Sequence, residues 1–355
     1  MISKIYIGQA PVRVTFISTG DTDDILKRIG VAYAINSTIV GLRNTCVIIP
    51  RYDKCIRLTS DVTTTSRLYQ TPKEMREAFE KDSEIDRSLR LMVLVFLHYN
   101  DIYNNVGIDV FTSTNSVPNS GLGGSASHVI SQIIAYNRLN DIEMKPEDIA
   151  RLAYEIERHK AGIGGGYQDQ YSIAYGGFNF MTFEWNEKDK RVGVEVQPIN
   201  LTENQLAELE RRMLLIYIPR TGVDDGGQIH REIARRVESL DQNILVERRD
   251  LALEIKGCLE SGNYDNLPRL MEIDWKLKVE VNPYATNECV ENVRQTAFNA
   301  GAEAVRFSGA GGGGCALVYC RDNIDRVEAA LRERGVRILP LRFERHKETG
   351  LWLPK

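Results

Sequence analysis

The chain has 355 residues, 43% hydrophobic and 26% charged, with a formal net charge of −4. That length allows about two domains of roughly 150 residues each, with apolar content for a large core. The slight acidity argues against nucleic acid or an acidic membrane surface as the main partner, but it allows a local basic pocket for a phosphorylated ligand. No run of 18 apolar residues is present to span a membrane. The N-terminal stretch MISKIYIGQAPVRVTFIS alternates like a strand and lacks a signal-peptide core and cleavage site. The six cysteines are scattered and form no CxxC pair. Free thiols in a reducing cytoplasm are the expectation.

Strands are predicted over 4–18, 32–40, 44–50, 54–60 and 106–114, all rich in Val, Ile, Thr and Tyr. Residues 73–98 read as one or two helices, and 125–139 and 146–160 as two more, with Pro146 suited to a first turn. YSIAYGGFNFMTFEW and VGVEVQPI read as two strands joined by a hairpin. Near Asn200 the texture changes. Thr202 with Gln205 three residues later forms a capping box at the start of a helix, which feeds the apolar strand MLLIYIP. Helical segments over 227–258, 264–280 and 284–300 follow, then strands AVRFSGA and CALVYC, a helix over 323–335 and strand VRILPLRF. The second half is thus predicted to be an α+β unit with an antiparallel sheet, giving domains 1–200 and 201–355. No internal repeat or low-complexity tract is present.

Three glycine-rich loops stand out. In NSVPNSGLGGSASHVISQ, residues 115–132, an extended segment gives way to small residues and then a helix. Such a loop presents backbone N–H groups at the positive end of a helix dipole, and side chains at Gly121, Gly123 and Gly124 would block a phosphate from reaching them. Ser125 and Ser127 add hydroxyls suited to a phosphate oxygen or Mg²⁺. The loop is neither a Walker A loop, since no GK[ST] follows, nor a dinucleotide-binding fingerprint, since the GxGxxG spacing fails. A tight strand-to-helix turn is the plainer reading of its glycines. RFSGAGGGGCALVY, residues 306–319, holds four consecutive glycines, which suit close backbone approach to a ligand or a flexible hairpin loop. RHKAGIGGGYQDQYSIAYGGFN, residues 158–179, holds one acid, Asp169, between two glutamines. That acid can serve as a base, a cation anchor or a turn cap.

In this order the loops resemble the GHMP superfamily of small-molecule kinases, named for galactokinase, homoserine kinase, mevalonate kinase and phosphomevalonate kinase. The Pro-x-Ser-Gly-Leu-Gly-Ser-Ser-Ala pattern of that superfamily is similar to Pro118, Asn119, Ser120, Gly121, Leu122, Gly123, Gly124, Ser125 and Ala126, with Gly124 in place of a serine. SGAGGGGCA resembles its third motif, and APVRVTFISTGDTDD its first. GGYQDQYSIAYGGFN resembles most the D-glycero-D-manno-heptose 7-phosphate kinases and their sugar-kinase relatives, and IPRTGVDDGGQIHREIA more loosely the Arg-Thr segment of that branch. FISTGDTDD departs from the branch, with polar residues and one extra residue where it has glycines before Thr-Asp.

The resemblance implies a two-domain α+β fold: an N-terminal domain like ribosomal protein S5 domain 2, a ferredoxin-like C-terminal domain, and an active site in the cleft between them. It implies ATP and Mg²⁺, with residues 118–127 (Pro118 to Ser127) around the ATP phosphates and with Ser125 and Glu157 on the metal. The plainer reading of Glu157 alone is a solvated helix carboxylate, with Glu155 two residues away. The resemblance makes Asp169 the catalytic acid that accepts or orients the acceptor's hydroxyl, and Arg13 its basic neighbour, offsetting charge on the transferring group. It puts Asp23, with Thr22 and more weakly Asp21 and Asp24, on sugar hydroxyls, and Gly311 and Gly312 near the phosphates or acceptor. Arg220, with Lys160, His230 and Arg231 as further candidates, would meet a remote phosphate on the acceptor. The implied reaction is ATP-dependent phosphorylation of a sugar or sugar phosphate, at the anomeric hydroxyl of D-glycero-D-manno-heptose 7-phosphate in the first instance. A galactokinase-like or mevalonate-pathway kinase, or a non-catalytic ligand sensor on the same scaffold, are the other readings. The expected partner is a small molecule, with no nucleic acid or membrane. A homodimer is one assembly open to the chain.

Overall fold

The computed structural model describes residues 4–81, 85–104, 107–220 and 235–345. Its first sheet contains β1 (Tyr6–Ser18), β2 (Val31–Pro50), β3 (Ile56–Ser60), β4 (Thr65–Tyr69), β5 (Ile108–Thr114), β6 (Phe178–Asn186) and β7 (Arg191–Pro198). The strand order is β4-β3-β5-β2-β6-β7, with β1 paired to β2. The two strands expected over 32–40 and 44–50 are one strand, β2. Its first half pairs with β6, its second half with β5, and β1 runs antiparallel along both. The β1–β2 register slips between Pro11 and Arg13. A bulge of this kind re-aims the side chain that follows it, which here is Arg13.

Six helices belong to this half: α1 (Asp23–Ile29), α2 (Pro72–Lys81), α3 (Arg87–Tyr103), α4 (Gly124–Leu139), α5 (Pro146–Tyr154) and α6 (Gln168–Tyr175). A π-helical turn, Glu155–Lys160, extends α5. Side chains of α3, α4 and α5 form one core with Ala10, Cys46, Ile48, Ile56, Leu58 and Val110 of the sheet. Two helices depart from expectation. YSIAY was expected to be a strand from its aromatic and β-branched content, but it lies in α6, where Tyr171, Ser172 and Ile173 are buried. Packing there overrides strand propensity. Helix α1 was not anticipated; only two of its seven residues are buried, Ile25 and Leu26, too few to give a period.

The second half contains α7 (Glu203–Arg211), β8 (Met213–Ile218), α8 (Gln242–Ser261), α9 (Leu267–Val281), α10 (Glu288–Ala300), β9 (Ala304–Phe307), β10 (Gly314–Tyr319), α11 (Ile324–Glu333) and β11 (Arg337–Leu339). The Thr202–Gln205 capping box is formed at the start of α7. The four strands pair in the order β11-β8-β10-β9, antiparallel throughout, as the sequence suggested. Helices α10 and α11 cover one face of this sheet. The other face, with α7, α8 and α9, shares a core with Val12, Val14, Phe16, Ile35 and Phe178 of the first sheet. The two halves therefore meet through apolar packing. The chain also returns to its beginning: Phe343 bridges Ile39, and the N–H of Glu344 donates to Thr38 O at 2.9 Å.

Candidate active site

Two cavities open at the junction of the halves. The larger, about 570 Å³, lies over the loop between β5 and α4. Gly123 is the N-cap of α4 at φ 74°, and Gly121 has φ 77°, conformations that side chains other than glycine rarely adopt. A Cβ at Gly121 would lie 2.9 Å from Ser308 O, whereas a Cβ at Gly124 would meet nothing within 4 Å. Pro118, Ser120, Gly121, Gly123, Gly124 and Ser125 line the cavity. The remaining three residues of the loop turn inward. Leu122 is buried in the shared core and its carbonyl accepts the Arg13 N–H at 2.9 Å. Ala126 packs in the core of the first half. Ser127 Oγ donates to Ala10 O at 2.8 Å and accepts from Asn44 Nδ2 at 2.9 Å, pinning α4 to the sheet.

The smaller cavity, about 120 Å³, is lined by Asp21, Thr22, Gly166, Arg248, Lys278 and Arg306, among others. Arg13, Arg158, Asp169, Gly309 and Ala310 border both cavities. At this shared wall Arg13 donates from Nε at 3.0 Å and Nη2 at 2.6 Å to Asp169 Oδ1, and from Nη1 at 2.6 Å to Gly121 O. Arg13 is 2% exposed, and the Asp169 side chain is 23% exposed. One guanidinium thus ties the acid to the glycine loop, and the acid keeps access to both spaces.

Asp169 sits in the first turn of α6, whose N-cap residue Tyr167 makes no side-chain cap. The cap comes from Asp21, whose Oδ2 accepts the Gln168 N–H at 2.7 Å. Gln168 Nε2 also donates to Ser18 Oγ at 3.0 Å and Asp21 Oδ1 at 3.3 Å. Burial raises the Asp21 carboxyl, the Gln168 N–H works against that rise, and the charge of Asp169 adds to it. Glu157 lies in the π-helical turn, a feature that recurs at functional sites. It is 2% exposed; Gln170 Nε2 donates to its Oε2 at 2.6 Å and Arg158 Nη1 lies 3.1 Å from its Oε1. Ser125 Oγ is buried with no partner among the described residues. Ser125 and Glu157 both line the larger cavity. An orphaned hydroxyl and a buried carboxylate are hard oxygen donors that fit Mg²⁺, which keeps further ligands from water and phosphate.

Other expected residues lie elsewhere. Asp23 lines neither cavity; its Oδ1 accepts the Tyr167 O–H at 2.9 Å, tying α1 to the Asp169 loop. Asp21, two residues earlier, and Thr22 are the ones that reach the smaller cavity. Gly311 and Gly312 line neither: a Cβ at Gly311 would fall 2.5 Å from Ala285 Cα, and the Gly312 N–H donates to Ala285 O at 2.7 Å. Their run packs backbone on backbone, leaving Gly309 and Ala310 at the cavities. Arg220, expected on a remote acceptor phosphate, lines the larger cavity only, with Nη2 3.3 Å from a Cβ at Gly121. Lys160 pairs with Glu155, 3.1 Å away, outside both cavities. His230 and Arg231 lie outside the described residues. The sequence reading missed Arg158, Arg248, Lys278 and Arg306, whose positions in the chain span 148 residues, from 158 to 306, with no shared motif.

Two family descriptions match this chain: GHMP kinases N terminal domain over residues 89–177, which holds the glycine loop, Glu157 and Asp169, and GHMP kinases C terminal over residues 255–337. The chain carries the N- and C-terminal domains of the GHMP kinases. It is accordingly a phosphotransferase with a hydroxyl acceptor, in a family whose phosphoryl donor is ATP. A D-glycero-alpha-D-manno-heptose 7-phosphate kinase of Campylobacter jejuni is 28% identical over 338 residues, 92% of this chain and 93% of the relative. A crystal structure of a C. jejuni protein assigned as a sugar kinase superposes with a TM-score of 0.74 at 26% identity, covering 97% of each chain. A D-glycero-D-manno-heptose 1-phosphate kinase of Bacteroides thetaiotaomicron shares the fold, with a TM-score of 0.70 at 23% identity over 96% of each chain.

Proposed function

We propose that this GHMP kinase transfers the γ-phosphoryl group of ATP to the anomeric hydroxyl of D-glycero-D-manno-heptose 7-phosphate in the cytoplasm. The observation that carries the reading is Asp169, held by Arg13 on the wall common to a glycine-lined cavity and a smaller, basic one. A donor in the first and an acceptor in the second would meet at that carboxylate. The 28% identity to the C. jejuni heptose 7-phosphate kinase, along nearly all of both chains, supports the acceptor.

Phosphoryl transfer asks a protein mainly for positioning and charge neutralisation. The N–H groups of the loop from Gly121 to Ser125, at the positive end of α4, receive the donor phosphates. Asp169 accepts the acceptor's hydroxyl proton as the new P–O bond forms and the bond to the β-phosphate oxygen breaks. Arg13 fixes that carboxylate in place and offsets charge on the transferring group. Ser125 Oγ and Glu157 would hold Mg²⁺, which when bound neutralises phosphate charge. Asp21 and Thr22 are the groups for sugar hydroxyls.

The test is ATP consumption with Mg²⁺ over heptose 7-phosphate, free hexoses, inositol, mevalonate and phosphomevalonate, with phosphorus NMR of the product. Turnover of heptose 7-phosphate to a product with an anomeric phosphate is the expected result. Turnover restricted to an unphosphorylated sugar or to mevalonate would overturn the acceptor, and ATP binding without turnover on any acceptor would overturn the kinase reading.

A further inference from the structure

The smaller cavity carries more positive charge on one wall than a neutral acceptor needs. Arg248 of α8, Lys278 of α9 and Arg306 of β9 all line it, and they are 5%, 7% and 2% exposed. One carboxylate, Asp274, is fully buried among them. Arg248 donates from Nε at 3.1 Å and Nη2 at 2.9 Å to Asp274 Oδ1, and Arg306 donates from Nε at 2.6 Å to Asp274 Oδ2. Backbone carbonyls fix the rest: Arg248 Nη2 donates to Ser18 O at 2.6 Å, and Arg306 Nη1 to Thr15 O at 3.0 Å. Lys278 Nζ donates to Phe307 O at 2.7 Å and Gly309 O at 2.9 Å.

A guanidinium has five N–H donors and an ammonium three. Among the described residues, Arg248 Nη1, Arg306 Nη2 and the third N–H of Lys278 have no hydrogen-bond acceptor, and Lys278 Nζ lies 5.4 Å from the centre of the Trp275 ring. Three cations with one shared carboxylate leave two positive charges in excess in a buried place. Elsewhere in the cavity Arg13 is paired with Asp169 and Arg158 with Glu157, and the one further carboxyl on the lining, Asp21, accepts the N–H of Gln168 and is pushed towards its neutral form by burial. An uncompensated buried charge is costly, so such a cluster suits an anion that enters it. Burial, with Arg306 adding to it, lowers the Lys278 ammonium well below its ordinary value, and a bound dianion reverses that cost. None of the three lines the larger cavity, so the donor phosphates are not what they face.

We propose that Arg248, Lys278 and Arg306 form the subsite for the phosphate that the acceptor already carries, apart from the phosphoryl group being transferred. The inference rests on the phosphorylated-acceptor reading above. A phosphate monoester brings a charge of about −1.5 to −2 at neutral pH, which matches the excess. Asp274 holds both forks in place before the ligand arrives, so little ordering is left to be done on binding. A sugar without the phosphate leaves the donors unpaired, and sites built to pair a polar group reject analogues lacking it strongly.

The test compares wild type with Lys278→Met, and with Arg248→Lys as a charge-preserving variant that keeps a counter-ion for Asp274. Steady-state rates are measured with heptose 7-phosphate and with the unphosphorylated heptose, and thermal melts with inorganic phosphate. Lys278→Met is expected to raise KM for heptose 7-phosphate about tenfold or more, to leave KM for ATP within about twofold, and to abolish stabilisation by inorganic phosphate. Arg248→Lys should give a smaller rise. An unchanged KM for heptose 7-phosphate in folded Lys278→Met, or equal phosphate stabilisation of variant and wild type, overturns the subsite. If wild type does not turn over any sugar phosphate, the acceptor reading fails by itself and the melts decide: stabilisation lost in Lys278→Met keeps an anion subsite, and none in wild type removes it.

Discussion

Asp21 caps the helix that carries Asp169 from 147 positions before Gln168, through a 2.7 Å hydrogen bond from the Gln168 N–H. The polar stretch STGDTDD therefore supports the acid as well as facing the smaller cavity. Asp21→Ala removes a cap worth about 1 kcal/mol of stability. It is also expected to lower kcat by about 10²-fold, since small displacements of a catalytic group cost that much. KM for ATP should stay near wild type. A variant with wild-type kcat would show that α6 keeps Asp169 in place without this cap.

Asp169→Asn keeps an oxygen that can accept from the buried Arg13, so the fold should survive. Loss of the base is expected to lower kcat by about 10²–10⁴-fold with ATP binding retained. Calorimetric ATP titration beside the turnover assay checks both halves, and undiminished turnover would falsify the base assignment.

Ser125 separates stability from activity. Its buried hydroxyl has no partner among the described residues, and an unmade hydrogen bond of that kind costs about 1–3 kcal/mol. Ser125→Ala should melt no lower than wild type and need about tenfold more Mg²⁺ for half-maximal rate, equal to about 1.4 kcal/mol. A Mg²⁺ titration of turnover, with a melt of each protein, reads the two effects; unchanged Mg²⁺ dependence would remove Ser125 from the metal.

Two glycines of neighbouring loops should respond unequally. A Cβ on Gly166 would lie 2.3 Å from Asp21 Oδ2 and 2.5 Å from Asp21 O, so Gly166→Ala must displace that cap. A loss of about 1–3 kcal/mol is expected, with a fall in kcat. A Cβ on Gly124 meets open space, so Gly124→Ser should stay within about 0.5 kcal/mol of wild type. Urea unfolding of both variants checks the contrast, and equal losses would contradict it.

His128 gives a pH dependence of stability. Burial lowers its imidazole to about 4, and its Nε2 lies 3.4 Å from Ser88 Oγ. In the unfolded chain a histidine protonates near 6.5. Between about 4 and 6.5 the unfolded state therefore holds more protons, and stability rises with pH across that window. The contribution is present above about 6.5 and lost as pH falls towards 4. From pH 7 to 5 the His128 share is about 2 kcal/mol. His128→Gln should flatten urea-derived stability between those pH values by that amount; an unaltered slope would assign the acid sensitivity to other groups.

Much of the molecule is legible from sequence because its signals are local. The glycine loop, the capping box at Thr202 and the second-half strands depend on residues within a few positions of one another, and they stand where they were expected, although β9 and β11 are shorter than AVRFSGA and VRILPLRF suggested. Arg13 and Asp169 were legible through motifs, while their contact is a product of the fold. The basic wall was missed because Arg248, Lys278 and Arg306 share no spacing. A signal was present within single helices. Arg248 sits on the apolar stripe of Leu245, Ala252 and Ile255, and Asp274 and Lys278 on that of Leu267, Leu270 and Met271. Charges on a buried stripe are rare unless paired, so each asks for a partner. Asp23 was favoured over Asp21 because a Thr-Asp pair is visible in sequence, whereas the direction in which α1 leaves β1 is not.

The return of residues 342–344 to β2 bears on how this protein is made. Thr38 Oγ1 donates to Glu344 Oε2 at 2.7 Å across 306 positions, and the Val40 N–H donates to Arg342 O at 2.8 Å. The same Thr38 hydroxyl accepts the Gly177 N–H, so this buried knot joins the end of α6 to both remote segments. A nascent chain emerges from its N-terminus, and domains ordinarily fold in that order. Here the first half waits for the second: Thr38 meets Gly177 within the first half, its N–H donating to Gly177 O at 3.2 Å, but among the described residues Ile39 and Val40 gain their neighbours on that side only from Phe343 and Arg342. Contacts of such separation close slowly. The final tightening of the structure is therefore a late event, and a ribosome paused within the second half holds a first half that is not yet sealed.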